Sequence, residues 1–252
     1  MIDAPHETSR SMKKSLPLIA LATSLCSAAP VKFGVDGLVG YNNLSIGSDV
    51  GAGLVTGSPE AKPSFGFAIG PTVAFVVNPQ LEVEGGASFL YDMNRFENTI
   101  EAGILGSNLE EHTIDQMSLG LKIQPVLRVG ERFKVKAGYE WDMPIGGTSE
   151  TKRTTTLLGL TAISTETADI VWAPAKRSDV KSSEAAVLST HNLIAGVSYD
   201  ILPALAVSLQ GKFALTGTVP SYKTNGDLDG AASSSSNIMA HQIALGVKVG
   251  VM

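Results

Sequence analysis

Phe133-Lys134-Val135-Lys136-Ala137-Gly138-Tyr139-Glu140-Trp141-Asp142-Met143 alternates apolar and polar residues without a break. One side carries Phe, Val, Ala, Tyr, Trp and Met, and the other carries Lys, Lys, Gly, Glu and Asp. A period of two is the signature of a β-strand. Two environments fit such a strand. A soluble antiparallel sheet turns its apolar face to a packed core and its charges to water. A membrane barrel reverses this, with apolar side chains outward to lipid and charges inward.

The same alternation recurs over 32–42, 64–77, 81–93, 115–129, 192–201, 204–216 and 238–252, so eight strands are expected. Their connections are of two kinds. Those at 78–80, 130–132 and 202–203 are tight, and those at 43–63, 94–114, 146–191 and 217–237 are long. Short turns at one end, long loops at the other and an even strand number are what a barrel with both termini on one side of a membrane requires. The strands also exceed the usual 5–6 residues of globular sheets. The expected fold is all-β, a closed antiparallel up-and-down transmembrane β-barrel over residues 29–252. Pro71 and Pro125 sit mid-strand on the apolar face, where a missing N–H suggests a bulge.

Residues 1–28 read as an N-terminal extension followed by a cleaved signal peptide. Lys13 and Lys14 precede the apolar run LPLIALATSL over 16–25, and Cys26-Ser27-Ala28 offers a small-residue cleavage site before Ala29. The run is shorter than the ~20 residues a helix needs to span a bilayer. Cys26 is the single cysteine, so a disulfide framework is excluded. The chain is 17% charged, below the roughly 25% of soluble domains, and its formal charge of −5 with no basic stripe argues against nucleic acid as a partner.

Aromatic residues are expected in two girdles at the membrane interfaces. Phe33, Phe75, Phe133 and Tyr199 fall toward the tight-turn end. Tyr41, Phe65, Tyr91, Tyr139 and Trp141 fall toward the long-loop end. The other face supplies the lumen with Asp36, Glu82, Glu84, Asp92, Asp115, Glu140, Asp142 and Asp200. It also supplies Lys122, Arg128, Lys134, Lys136, Lys212 and Lys248. An eight-stranded barrel is just wide enough for side chains to fill, and unpaired buried ions are strongly destabilising. These charges are therefore read as a plug of ion pairs, with Glu82 and Glu84 near Arg128 and Lys134. A polar path for small solutes is the alternative.

The leader, the eight strands and the long loops together resemble the small outer-membrane barrels of Gram-negative bacteria: the membrane domain of outer membrane protein A, the OmpX type and the opacity-type surface antigens. The resemblance implies residence in the bacterial outer membrane, contact with its lipid, insertion by the barrel-assembly machinery and a monomeric state. It implies a structural, surface-exposed role in adhesion or envelope integrity, with a host or envelope ligand on the external loops. A narrow porin-like channel is the runner-up, and a lipid-modifying enzyme comes behind it. One departure is the last strand, which ends Val249-Gly250-Val251-Met252 rather than in an aromatic residue.

No cofactor motif or metal cluster is read. His112, His191 and His241 are isolated in sequence, and Gly146-Gly147 reads as a turn, since no Lys-Ser/Thr pair follows it. Ser118, His241 and Asp115 can be imagined as a triad, but a triad is recognised by geometry, and no enzyme is expected. The segment 146–191 contains the apolar runs Leu157-Leu158-Gly159-Leu160 and Ile170-Val171-Trp172. It is read as a hairpin extending the barrel above the membrane. Two further transmembrane strands near 154–163 and 168–174, making ten, are the alternative, and a mobile partner-binding loop is a third reading. The loop over 226–237, rich in Gly and Ser, is expected to be exposed.

Overall fold

The computed structural model describes residues 30–46, 60–101, 106–231 and 238–251. The proposed leader and the segment 47–59 lie outside the described residues. The elements are β1 (Val31–Ile46), β2 (Glu60–Asn78), β3 (Leu81–Glu101), β4 (Gly106–Val129), β5 (Phe133–Leu157), β6 (Leu160–Trp172), β7 (Glu184–Val187), β8 (Thr190–Leu202), β9 (Leu205–Ala214), β10 (Pro220–Tyr222), β11 (Leu228–Ala231) and β12 (Ile238–Val251).

Eight of them close a ring in the order β1, β2, β3, β4, β5, β8, β9, β12, every neighbouring pair antiparallel. The closing pair, β1 with β12, runs from Phe33 opposite Val251 to Ile46 opposite Ile238. The direction of the alternation is settled by adjacent residues. Ile123 is 57% exposed on the outer wall, and its neighbour Lys122 is 6% exposed inside. Val39, Ile69, Leu119, Leu127, Leu209 and Leu245 join Ile123 in an exposed apolar belt. The buried set is largely polar, including Asn42, Thr72, Gln124, Asn192 and Gln210. This inside-out distribution is that of a barrel solvated by hydrocarbon. No helix among the described residues is long and apolar enough to cross a membrane.

The segment read as a loop over 94–114 carries strand at 94–101 and 106–114, and 146–191 carries the hairpin expected there. β3 and β4 stay paired as far as Glu101 opposite Ser107, and β4 and β5 as far as Gly106 opposite Leu157. The sequence there is polar on both faces, which hides a strand that stands in water. β5 also changes partner along its length. It pairs with β8 from Phe133–Tyr199 to Asp142–Thr190, then with β6 from Thr148–Asp169 to Leu157–Leu160. The two additional strands therefore extend the wall of an eight-stranded barrel, and ten strands do not enter the ring. Gly146-Gly147 is not a turn but the site of this exchange. Gly147 takes φ +140°, and a Cβ there would lie 2.1 Å from the Asp115 carbonyl oxygen.

No register shift accompanies either mid-strand proline. Pro71 lies opposite Val35, and Pro125 opposite Val83, each in an unbroken ladder. On the other side the pairing skips Gly70 and Pro71 in β2, and Gln124 and Pro125 in β4, then resumes in the same register. Glycine accommodates each gap. A Cβ at Gly70 would sit 1.9 Å from the Ala87 carbonyl oxygen, and one at Gly138 would sit 2.3 Å from that of Ile123. Close approach thus replaces the expected bulge.

The lipid-facing assignment has a direct consequence. Ile123→Arg places a cation near mid-membrane and is expected to lower unfolding free energy by about 2–4 kcal/mol in urea titrations in lipid vesicles. Leu158→Arg, outside the belt, is expected to change it by less than about 0.5 kcal/mol. Equal effects would contradict the assignment.

Candidate functional site

The lumen holds the charges in cross-barrel contacts. Lys122 Nζ on β4 lies 2.5 Å from Asp36 Oδ2 on β1 and 3.8 Å from Glu84 on β3. Glu84 is also engaged by Lys248 of β12 and accepts from Gln124 Nε2 at 2.7 Å. Lys212 on β9 reaches Glu140 at 3.3 Å and Asp142 at 3.1 Å on β5, and Asn192 Nδ2 donates to Asp142 at 2.9 Å. Asp92 accepts from Asn42 at 3.1 Å and Gln242 at 3.4 Å rather than from a cation.

At the tight-turn end Lys134 lies 2.9 Å from Asp200, and Arg128 sits 3.6 Å from Glu82 and 3.7 Å from Asp200. Glu82 takes a closer partner in Lys32, at 2.6 Å. Lys32 is a lumen residue that sequence reasoning passed over at the strand margin, although its even number matches Asp36. The sequence reading put both Glu82 and Glu84 with Arg128 and Lys134. Glu84 instead meets Lys248 of β12 from across the bore and Lys122 of the neighbouring β4.

Asp115 was expected inside but lies on the outer wall. It is opposite Met93 and Thr148 and hydrogen-bonds the outward Tyr91. Its odd number places it on the same side as Met117. Ser118 is buried in the lumen, and β4 and β12 stand on opposite sides of the ring, so Ser118, Asp115 and His241 do not meet. Among the described residues no group of three or more His, Cys, Asp or Glu could hold a metal ion.

Between the ends, Leu90, Lys122, Ile194 and Gln210 are each less than a tenth exposed. A cavity of about 140 Å³ lies at the tight-turn end and one of about 40 Å³ at the other, with no lining residue in common.

Outside, Phe33, Phe75, Phe133 and Tyr199 are exposed near the turns, and Tyr41, Phe65 and Tyr139 at the opposite rim. Tyr91 stacks on Phe67 at 5.4 Å. Trp141 lies parallel to the cross-strand His191 at 6.3 Å, and Tyr139 shares a hydrogen bond with the same ring. His191 therefore belongs to the upper girdle, which its position in the sequence did not reveal.

Above that rim β2–β6 stand up as a sheet. At its base Phe96 of β3 packs inward against Leu44 of β1 and Ile238 of β12. His112 stacks on Phe96 at 4.5 Å and contacts Thr151 Oγ1 at 3.0 Å. Burial holds the His112 pKa below its usual value, although Glu110 opposes the shift. Higher up, Arg153–Glu110 at 2.7 Å and Lys152–Glu111 at 2.8 Å brace β4 to β5. The tip, 154–163, contains no charge. Leu158 and Gly159 take positive φ, +49° and +82°, in a two-residue hairpin turn of the type that matches strand twist. Leu157, Leu158, Leu160 and Ile163 are 56–79% exposed.

No protein-family model and no curated protein matches the chain. Among solved structures it is similar to the attachment invasion locus protein Ail of Yersinia pestis. That match has 11% identity over 87% of this chain and 98% of that one, with a TM-score of 0.36. Neisserial surface protein A matches at 13% identity over 87% and 98%, TM-score 0.35. The outer membrane protease OmpT of Escherichia coli matches at 9% over 88% and 96%, TM-score 0.42. At these values the likenesses carry no functional argument.

Removing one member of a buried ion group strands the others. Lys212→Met is expected to cost about 3–5 kcal/mol in urea titrations, and adding Glu140→Gln and Asp142→Asn should recover most of it. Lys152→Met, at an exposed pair, should cost less than about 1 kcal/mol. For His112, a folded pKa below the unfolded value means that its contribution is complete above about pH 6.5 and is lost as pH falls below it. Proteolytic nicking of the β3–β4 extension should accordingly rise between pH 7.5 and pH 5, and His112→Gln should flatten that rise.

Proposed function

We propose that this chain is an integral protein of the bacterial outer membrane, exported by the leader within 1–28, and that it serves as a rigid pedestal for a protruding adhesive sheet. The observation that carries this reading is the tip of the β5–β6 hairpin. Four large apolar residues, Leu157, Leu158, Leu160 and Ile163, stand exposed at the end of an uncharged stretch. Ten residues of β5, from Thr148 to Leu157, lift them roughly 30 Å beyond the exchange point. Exposed apolar clusters rimmed by polar residues mark interaction sites. The shaft below is braced by ion pairs and rich in threonine, which suits a strand in water.

The lumen plays the structural part. A bore largely filled by paired side chains supports a stiff barrel, and the role read from it is display. The partners implied are outer-membrane lipid around the belt, the barrel-assembly machinery during insertion and a host or envelope ligand at the tip, with the barrel itself a monomer.

Deleting 149–168 and joining the flanks with a short Gly-Asn turn should leave heat-modifiable electrophoretic mobility intact and abolish binding of expressing cells to surfaces or host cells. Leu158→Ser with Leu160→Ser should reduce that binding several-fold. Purified protein in planar bilayers should give no unitary steps. Stable steps would replace this reading with a solute channel.

A further inference from the structure

The cavity of about 140 Å³ at the tight-turn end carries an unbalanced charge. Five cationic side chains line it, Lys32, Arg128, Lys134, Lys136 and Lys248, against three carboxylates, Glu82, Glu84 and Asp200. Four of the cations are engaged. Lys32 and Arg128 hold Glu82, Lys134 and Arg128 hold Asp200, and Lys248 holds Glu84.

Lys136 differs. It is 8% exposed and lines the cavity, and among the described residues no carboxylate lies within ion-pairing distance of its ammonium. The carboxylates whose field it feels, Asp36 and Glu84, are both taken by other lysines. A buried ammonium without a counter-charge is costly, and the cost falls if an anion enters beside it.

We propose that this cavity is a binding site for one small oxyanion of the phosphate class, held by Lys136 in the lumen with Arg128 and Lys134 at its mouth. The mouth is open to water on the tight-turn side, where Lys32 is 51% and Arg128 29% exposed at their side chains. The cavity shares no lining residue with the one at the long-loop end, so the site is read as a terminus rather than a path. Arg128 offers a planar fork of donors, and the four lysines offer point charges, the combination that oxyanions select. The site lies at the end of the barrel opposite the hairpin tip, and it stands whether or not the tip is adhesive.

Equilibrium dialysis of the purified barrel in neutral detergent against labelled inorganic phosphate, at low ionic strength, tests it. One saturable phosphate per chain is expected. Lys136→Met should weaken binding by about tenfold or more, and Lys152→Met, on the protruding sheet, should leave it unchanged. Absence of saturable binding, unchanged affinity in Lys136→Met, or an equal loss in Lys152→Met would overturn the site. If Lys136→Met loses its heat-modifiable mobility and so fails to fold, Glu82→Gln decides. Removing that carboxylate makes the cavity more positive and should tighten phosphate by about threefold or more. Unchanged or weaker binding would refute the proposal.

Discussion

The antiparallel pairing of β1 with β12 is the constraint on which everything else in this molecule depends. Hydrocarbon offers no partner to a backbone N–H or C=O, so a sheet in a membrane must leave no edge. Fourteen residue pairs, Phe33–Val251 to Ile46–Ile238, remove it. Closure at eight strands then fixes the bore at a width that side chains fill. Alternation sends every second residue into that bore, and the outer wall cannot accept charge. The lumen is the one place within the membrane where Lys122, Glu84, Lys212 and Asp142 can go.

What they do there follows from geometry more than from sequence. Lys122 reaches Asp36, three strands away round the ring, and Lys212 reaches Glu140, two strands away. Contacts across the bore tie opposite walls together, whereas cross-strand pairs would only reinforce existing ladders. The distribution is uneven. Cations exceed carboxylates around the tight-turn cavity, and Asp92 and Asp142 face a single lysine around the other. The lumen is thus polarised along its axis, and a buried polarised interior attracts counter-ions at its ends.

The wall was legible in the sequence and its interior contacts were not. Strand number, tight-turn positions and the outward rows through Phe65, Leu119 and Tyr139 all follow from a period of two. Cross-bore partners do not, because the sequence fixes which face a residue takes but not its height or the reach of its side chain. Lys32 was missed for lying at a strand margin. Asp115 was misplaced because its charge was weighed above its parity with Met117. The prolines misled for a related reason. Bulging is the usual remedy for a missing donor, but Gly70 and Gly138 supply a different one by letting the neighbouring backbone come close.

Of the protruding sheet the sequence showed the hairpin within 146–191, whereas the strands over 94–114 escaped notice because water relaxes the rule that shapes the barrel. Once β5 passes Pro144, which has no N–H to donate, it parts from β8, and at Gly147 it crosses to β6. The ladder with β4 slips there as well, between Met117 and Ser118. Beyond this point neither face needs to be apolar, and the threonines and charges of 148–156 carry no alternation. Among the described residues, β7 covers the far edge of β6 only from Asp169 to Trp172, leaving 160–168 paired with β5 alone. In hydrocarbon such an edge could not persist. It marks 144–147 as the boundary at which the chain leaves the membrane and the selection on its sequence changes from closure to contact.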